Sequence, residues 1–291
     1  MKQARLILGG GSAYGLAHMG IITAVREHFE ISGIVGTSMG AIIGACTALG
    51  MGGREMLDLA EDVSTIELFN PLNLDFSRSG IFDGKAIHKL FMQWTSELQI
   101  EDCSIPFIAV AFDLHRQCSI LIDKGSLADA MRASSSLPFI FAPHEIGEYL
   151  LVDGGVAHPL PLAFAEKVPG EITIAVNVLP PVSLKAEYIK PGRSGEAKRI
   201  GRYDVFMQSL MLNQGFIAVQ AATQYKPDIY IDAHLADFSF TDLKKAREFY
   251  KHGLKVANHS FMDYKKPDFA ERLKETYAQL RVKLLESWKQ S

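Results

Sequence analysis

The sequence predicts an α/β protein built on a mostly parallel central sheet. Three observations carry that expectation. Strand-type and helix-type segments alternate through the first fifty residues, and glycine-rich turns lie at both places where strand passes into helix. Further along, the run Ile172–Val178 is apolar on both alternations except at Thr173 and Asn177, as in a strand covered on both faces.

The first strand is expected at Arg5–Leu8, entering the turn GGGSAYG. A helix follows over Tyr14–Phe29, with Leu16, Met19, Ile22 and Val25 recurring on one half of its circumference and Arg26, Glu27 and His28 near its end. Ile34–Val35 opens a second strand, and Met39–Leu49 reads as a helix of small residues. Later strands are expected at Phe107–Phe112, Ser119–Ile122, Tyr149–Val152, Ile172–Val178 and Ile229–Ile231. Helices are expected at Phe206–Thr223, Asp242–Ala257 and about Phe269–Trp288. In the last of these, Leu273, Tyr277, Leu280, Leu284 and Trp288 share a face suited to docking on the core or a partner. The intervening stretch 180–203 is rich in Pro and Gly and carries Lys185, Lys190, Arg193, Lys198, Arg199 and Arg202. It reads as a basic surface loop, with a lid or membrane-facing segment as the functional alternative.

Composition narrows the function classes. Of the 291 residues, 48% are hydrophobic and 22% charged, values of an ordinary globular chain, which excludes disordered and collagen-like readings. Thirty basic residues against 33 acidic ones leave a net charge of −3, so no chain-wide field exists to hold nucleic acid. Contact with an anionic membrane would need a local patch. The three cysteines, Cys46, Cys103 and Cys118, have no CxxC spacing, which argues for a reducing compartment without a disulfide framework or a zinc site. The apolar run after the first positive charges stops at Leu8, too short for a secretory signal, and a cytoplasmic location is expected. Ile31–Gly53 is uncharged and long enough to span a bilayer. Its seven glycines and its hydroxyl side chains dilute the hydropathy, so strand, turn and buried helix account for it better.

Three sites could carry chemistry. Gly36-Thr37-Ser38-Met39-Gly40 is a GxSxG at the junction of strand and small-residue helix. A serine on so sharp a turn is lifted out of the sheet, glycines two positions either side avoid collision, and the helix N-terminus favours negative charge nearby. Gly9-Gly10-Gly11-Ser12 offers unhindered N–H groups for a phosphate or for the oxyanion of an acyl intermediate. The dinucleotide pattern GxGxxG fails in both registers, at Tyr14 or at Ser12, so the oxyanion reading is preferred. Asp153-Gly154-Gly155 follows the strand Leu150–Val152 and is either a tight turn or a carboxylate at a strand's carboxyl end. His158, His234, His252 and His259 are available after it in the chain, but none lies in a motif.

Together these blocks resemble the patatin-like phospholipases, and in particular the bacterial serine lipid acyl hydrolases of that family. The resemblance rests on LGGGSAYGLAHMG (8–20), GTSMGAIIGA (36–45), MRASSSLPFIFAP (131–143) and LVDGGVAHPLPL (151–162). IPFIAVAFDL (105–114) and, more loosely, PDIYIDAHLADFSFTDLKKA (227–246) are also similar to bacterial members. It implies a three-layer α/β/α fold, with a catalytic core over 5–166, the rest of the domain over 167–265 and a C-terminal helix over 266–291. It further implies Ser38 as nucleophile, Asp153 as base in a Ser–Asp dyad, and the backbone of Gly9, Gly10 and Gly11 as oxyanion donors. Gly36, Gly40, Gly154 and Gly155 are the accompanying motif glycines. The chain departs from the family pattern where Ser12 replaces a glycine and Tyr14 an arginine.

The expected activity is hydrolysis of lipid carboxylic esters through an acyl-enzyme, without cofactor or metal, with a lipid substrate and transient contact with a membrane surface. An acyltransferase using the same acyl-enzyme, or a nucleotide-binding or scaffold protein with a weak site, are the alternatives. An ordinary aspartate, with a pKa of about 3.9, is a poor base for a serine hydroxyl. Asp153 is therefore expected to be desolvated, with its pKa raised.

Overall fold

The structure is a computed structural model that describes residues 1–62, 81–180, 182, 199–264, 268–269 and 271–278. The chain runs β1 (Lys2–Leu8), α1 (Ala17–His28), β2 (Phe29–Thr37), α2 (Met39–Ala48) and α3 (Gly53–Asp62). Then come α4 (Lys85–Thr95), β3 (Phe107–Asp113), β4 (Cys118–Ile122), α5 (Leu127–Ser134), β5 (His144–Ile146) and β6 (Tyr149–Asp153). The chain continues through β7 (Ile172–Asn177), α6 (Arg202–Tyr225), β8 (Ile229–Asp232) and α7 (Ala246–Tyr264).

Among the described residues one sheet contains all eight strands. Strands β3, β2, β1, β7 and β8 lie side by side and parallel, as the strand–helix alternation predicts. Strands β4, β5 and β6 are antiparallel additions at the β3 end. Side chains alternate between two cores as period-two geometry requires. Leu6, Leu8, Ile34, Ala109, Ile174 and Val176 face one core, with α1, α2 and α7. Ile7, Val35, Ile108, Val110 and Ala175 face the other, which α6 covers through Met207, Met211, Ala218 and Ala222. The result is three layers, α/β/α.

Several boundaries differ from the sequence expectation for local reasons. The helix expected from Tyr14 begins as a 3-10 turn, Ser12–Leu16, because the chain leaves the glycine turn tightly wound before α1 starts at Ala17. The helix expected from Asp242 is likewise a 3-10 turn, Leu243–Lys245, leading into α7. Helices α3, α4 and α5 and the short strand β5 were not anticipated. Ile87, Leu90, Phe91 and Trp94 in α4 have helical spacing, so that helix was legible; β5, only three residues long, was not. Ile31–Gly53 divides into β2, α2 and the start of α3, and among the described residues no helix is long and apolar enough to cross a membrane. Of the basic stretch, residues 181 and 183–198 lie outside the described residues, while Arg202 opens α6. Residues 271–278 are helical, and the buried Tyr277 donates its hydroxyl to Pro227 O at 2.7 Å. Leu280, Leu284 and Trp288 lie outside the described residues.

Candidate active site

Strand register brings residue 38 to residue 153. Ala109 and Val110 of β3 pair with both β2 and β4, and Ala111–Asp113 pair with both β4 and β6. Since a strand has only two edges, β2 and β6 must share the edge opposite β4. Parallel β2 ends where Thr37 pairs with Val110, and antiparallel β6 ends where Asp153 pairs with Ala111. The carboxyl ends of the two strands therefore meet head to head along β3. Ser38 is the next residue after Thr37.

The turn that carries Ser38 is sterically tight. A Cβ on Gly36 would run into the backbone of Gly40 and Ala41, and one on Gly40 into the backbone of Leu8 and Gly9. Ser38 itself has φ +56° and ψ −125°, a region L-residues rarely occupy, at a cost of about 1–3 kcal/mol. It also stands at the N-terminus of α2, whose dipole favours negative charge there. The strained backbone is held by a residue the sequence reasoning did not single out. Ser38 N–H donates to Ser134 Oγ at 2.9 Å, and Ser134 Oγ donates to Val110 O at 2.7 Å. The run Ser134-Ser135-Ser136 within the third family block was its signal. Ser134→Ala removes both bonds and leaves Ser38 N–H without this acceptor, and an unfolding titration in urea should show a loss of about 1–3 kcal/mol.

Asp153 is 1% exposed. Its Oδ1 accepts Gly155 N–H at 2.7 Å, while Oδ2 is buried without a well-formed hydrogen bond. Burial pushes its pKa up to about 6, opposed by hydrogen bonding from the Ser38 side chain and from Gly155 N–H. Ser38 and Asp153 line one cavity, with Gly11, Ser12, Ser135 and Gln214 at the same polar end. From there the cavity follows α2 past Ile42 and Ile43 to Cys46, and its remaining wall includes Met56, Phe91 and Trp94. Eight residues at the helical rise place Cys46 about 12 Å along the axis from Ser38. The burial of Gln214 in this wall was not foreseen, since a lone glutamine in a long helix carries no motif.

Geometry narrows the expected oxyanion donors. Gly9 N–H donates to Val176 O at 3.0 Å and Gly10 N–H to Pro159 O at 2.8 Å. Those two amides are spent on holding the loop against β7 and the 159 turn. Of the three glycines only Gly11 lines the cavity, with Ser12 beside it. Ser12 has φ +50°, the left-handed conformation that glycine favours, at the position where the family pattern has glycine. Its hydroxyl donates to Phe240 O at 2.9 Å, and Tyr14 Oη donates to Phe238 O at 3.2 Å. Both departures from the family pattern thus tie the turn to the segment before α7. His18 supports the loop from beneath. It is fully buried with a pKa lowered to about 4, so it is neutral, and its Nε2 donates to Gly9 O at 2.8 Å.

Among the described residues no histidine lines this cavity. The His158 ring packs edge-on against Phe164, 4.7 Å away, and its own carbonyl accepts Thr37 Oγ1. His252 is bonded to Ala233 O, and His234 and His259 are largely exposed beside Asp232 and Asp263.

Comparison with known proteins shows the family of the chain. The patatin-like phospholipase family pattern matches residues 6–165, more than half of the sequence. The chain belongs to the patatin-like phospholipase family. Its similarity to an uncharacterized NTE family protein of Mycobacterium tuberculosis is 37% identity over 177 residues, covering 60% of this chain and 49% of that protein. The mouse patatin-like phospholipase domain-containing protein 6 is 30% identical over 179 residues, 60% of this chain and 13% of the mouse protein. This patatin-like chain therefore matches about half the length of that mycobacterial relative and a small part of the mammalian one. Among solved structures, VipD from Legionella pneumophila superposes with a TM-score of 0.50 at 12% identity, covering 89% of this chain and 67% of that one. At that identity the likeness concerns the patatin-like fold.

Proposed function

We propose that this patatin-like chain hydrolyses lipid carboxylic esters through an acyl-enzyme on Ser38, with Asp153 as the general base. One observation carries the reading. A serine on a strained strand–helix turn interacts with a buried carboxyl at the polar end of an otherwise apolar cavity, and among the described residues no histidine lines that cavity.

In this mechanism Ser38 Oγ attacks the ester carbonyl carbon as its proton passes to Asp153 Oδ2. The carbonyl oxygen becomes an oxyanion, cradled by the amides of Gly11 and Ser12 and favoured by the N-terminus of α2. Collapse breaks the bond to the alcohol, which takes the proton from Asp153. Water then attacks the acyl carbon and gives a proton to the Asp153 carboxylate; collapse breaks the acyl bond to Ser38 Oγ, which takes that proton from Asp153 as the fatty acid leaves. A carboxyl with a pKa of about 6 is a far better base than an ordinary aspartate, and it remains mostly ionised at neutral pH. An ester suits so weak a base, because its alkoxide leaves more readily than an amine does.

The apolar stretch along α2 is the acyl-chain subsite in this reading. The test is hydrolysis of p-nitrophenyl esters and diacyl phospholipids of graded chain length, with released fatty acid measured directly. Cys46→Phe fills the far end of the chamber. It should reduce kcat/KM for decanoyl esters at least tenfold while sparing butyryl esters, a difference of at least ~1.4 kcal/mol in transition-state binding. Equal losses on both chain lengths, or no ester turnover at all, would reject the assignment.

A further inference from the structure

Away from the Ser38 cavity, three side chains from three separate elements converge. His88 lies on α4, Asp129 in the first turn of α5 and His144 at the start of β5. His144 Nε2 is 2.8 Å from Asp129 Oδ1, and His88 Nε2 is 2.9 Å from the same oxygen. The two imidazole rings are 5.4 Å apart. His88 Nε2 is buried, yet its direction gives it no hydrogen-bond partner, so it sits near the oxygen without a well-formed bond. One ligand atom from each residue falls within 4.8 Å of the other two.

We propose that His88 Nε2, His144 Nε2 and Asp129 Oδ1 form a zinc-type divalent-metal site that fastens α4 to α5 and β5. Two imidazole nitrogens and one carboxylate oxygen are a donor set that zinc favours over magnesium or calcium, with water completing the tetrahedron. Zinc–ligand bonds of about 2.0–2.1 Å separate tetrahedral ligand atoms by about 3.3 Å. The two nitrogens therefore need to draw back from Oδ1 by about half an ångström, and they already lie within 4.8 Å of one another. Each neutral imidazole carries its proton on Nδ1 in the metal-bound form, leaving the Nε2 lone pair to coordinate. Absence of cysteine spacing, the basis for expecting no zinc site, does not bear on this histidine–carboxylate set. The consequence reaches the other site through α4, whose Ile87, Leu90, Phe91 and Trp94 line the apolar cavity. Metal at His88 would hold that wall in place.

The test uses the untagged full chain, dialysed against chelator and titrated calorimetrically with zinc chloride, then with magnesium chloride. Zinc should bind at about one equivalent and magnesium should not. His88→Ala and His144→Ala should each weaken zinc binding at least tenfold while their circular dichroism matches wild type. Zinc should also slow amide exchange across 85–95. Cobalt(II) supplies a second readout that needs no variant, namely d–d bands without a thiolate charge-transfer band. Any one of four results overturns the proposal: no zinc binding by wild type, equal binding by folded variants, a cobalt–thiolate band pointing to Cys103 or Cys118, or unchanged exchange across α4.

Discussion

Ser38→Ala should end covalent labelling by a fluorophosphonate probe and lower ester turnover at least about a thousandfold, the scale of losing an acyl-transfer nucleophile. Alanine keeps the Cβ and the strained φ of +56°, so the fold is disturbed only by loss of the hydroxyl. Ser38→Gly supplies the complementary control. Glycine occupies that backbone region without strain, so this variant should be equally inactive while unfolding no more easily than wild type. Intact-mass measurement after labelling reads the first outcome, and urea denaturation the second. Labelling that persists in Ser38→Ala, mapped to another serine, would remove Ser38 from the mechanism.

Asp153→Asn should reduce turnover by roughly a hundredfold or more, the loss expected for a general base, while His158→Ala should leave it unchanged. The pH profile makes the assignment specific. The base must be ionised, so wild-type kcat/KM should rise as pH climbs through about 6, and the residual activity of Asp153→Asn should lack that limb. Stability should move the opposite way. Asp153 has a pKa of about 6 when folded against about 3.8 when unfolded. Above pH 6 both states are ionised, and the folded state carries the whole cost of a buried carboxylate. Below about 3.8 both are protonated and the cost is gone. Two pKa units correspond to about 3 kcal/mol. Asp153→Asn should therefore melt higher than wild type at pH 8, with the gap closing as pH falls through 6 towards 4. A histidine-dependent hydrolase would show the reverse pattern, with His158→Ala inactive and Asp153→Asn active.

Much of the architecture was legible along the chain because it follows from local rules. Apolar runs in β1 and β7, three-residue spacing in α1 and small residues in α2 each announce an element. The GxSxG was legible for a steric reason that the backbone contacts of Gly36 and Gly40 make explicit. The oxyanion amides were less so. Gly9, Gly10 and Gly11 look equivalent in the sequence, and only the strands around them reveal that two of the three N–H groups are already engaged. Ser134 was hidden for a similar reason: its hydroxyl acts on a turn ninety-six residues away.

The amino-acid order alone thus determined what depends on near neighbours: the α/β class, the turn that strains Ser38 and the family to which the chain belongs. Tertiary structure decided what depends on register and burial. Two strands ending on the same edge of β3 place Ser38 beside Asp153, and enclosure raises that carboxyl's pKa. The gathering of His88, Asp129 and His144 is of the same kind. The physical reason is that periodicity and steric clash act over a few bonds, whereas desolvation and convergence act through space between residues the chain holds far apart.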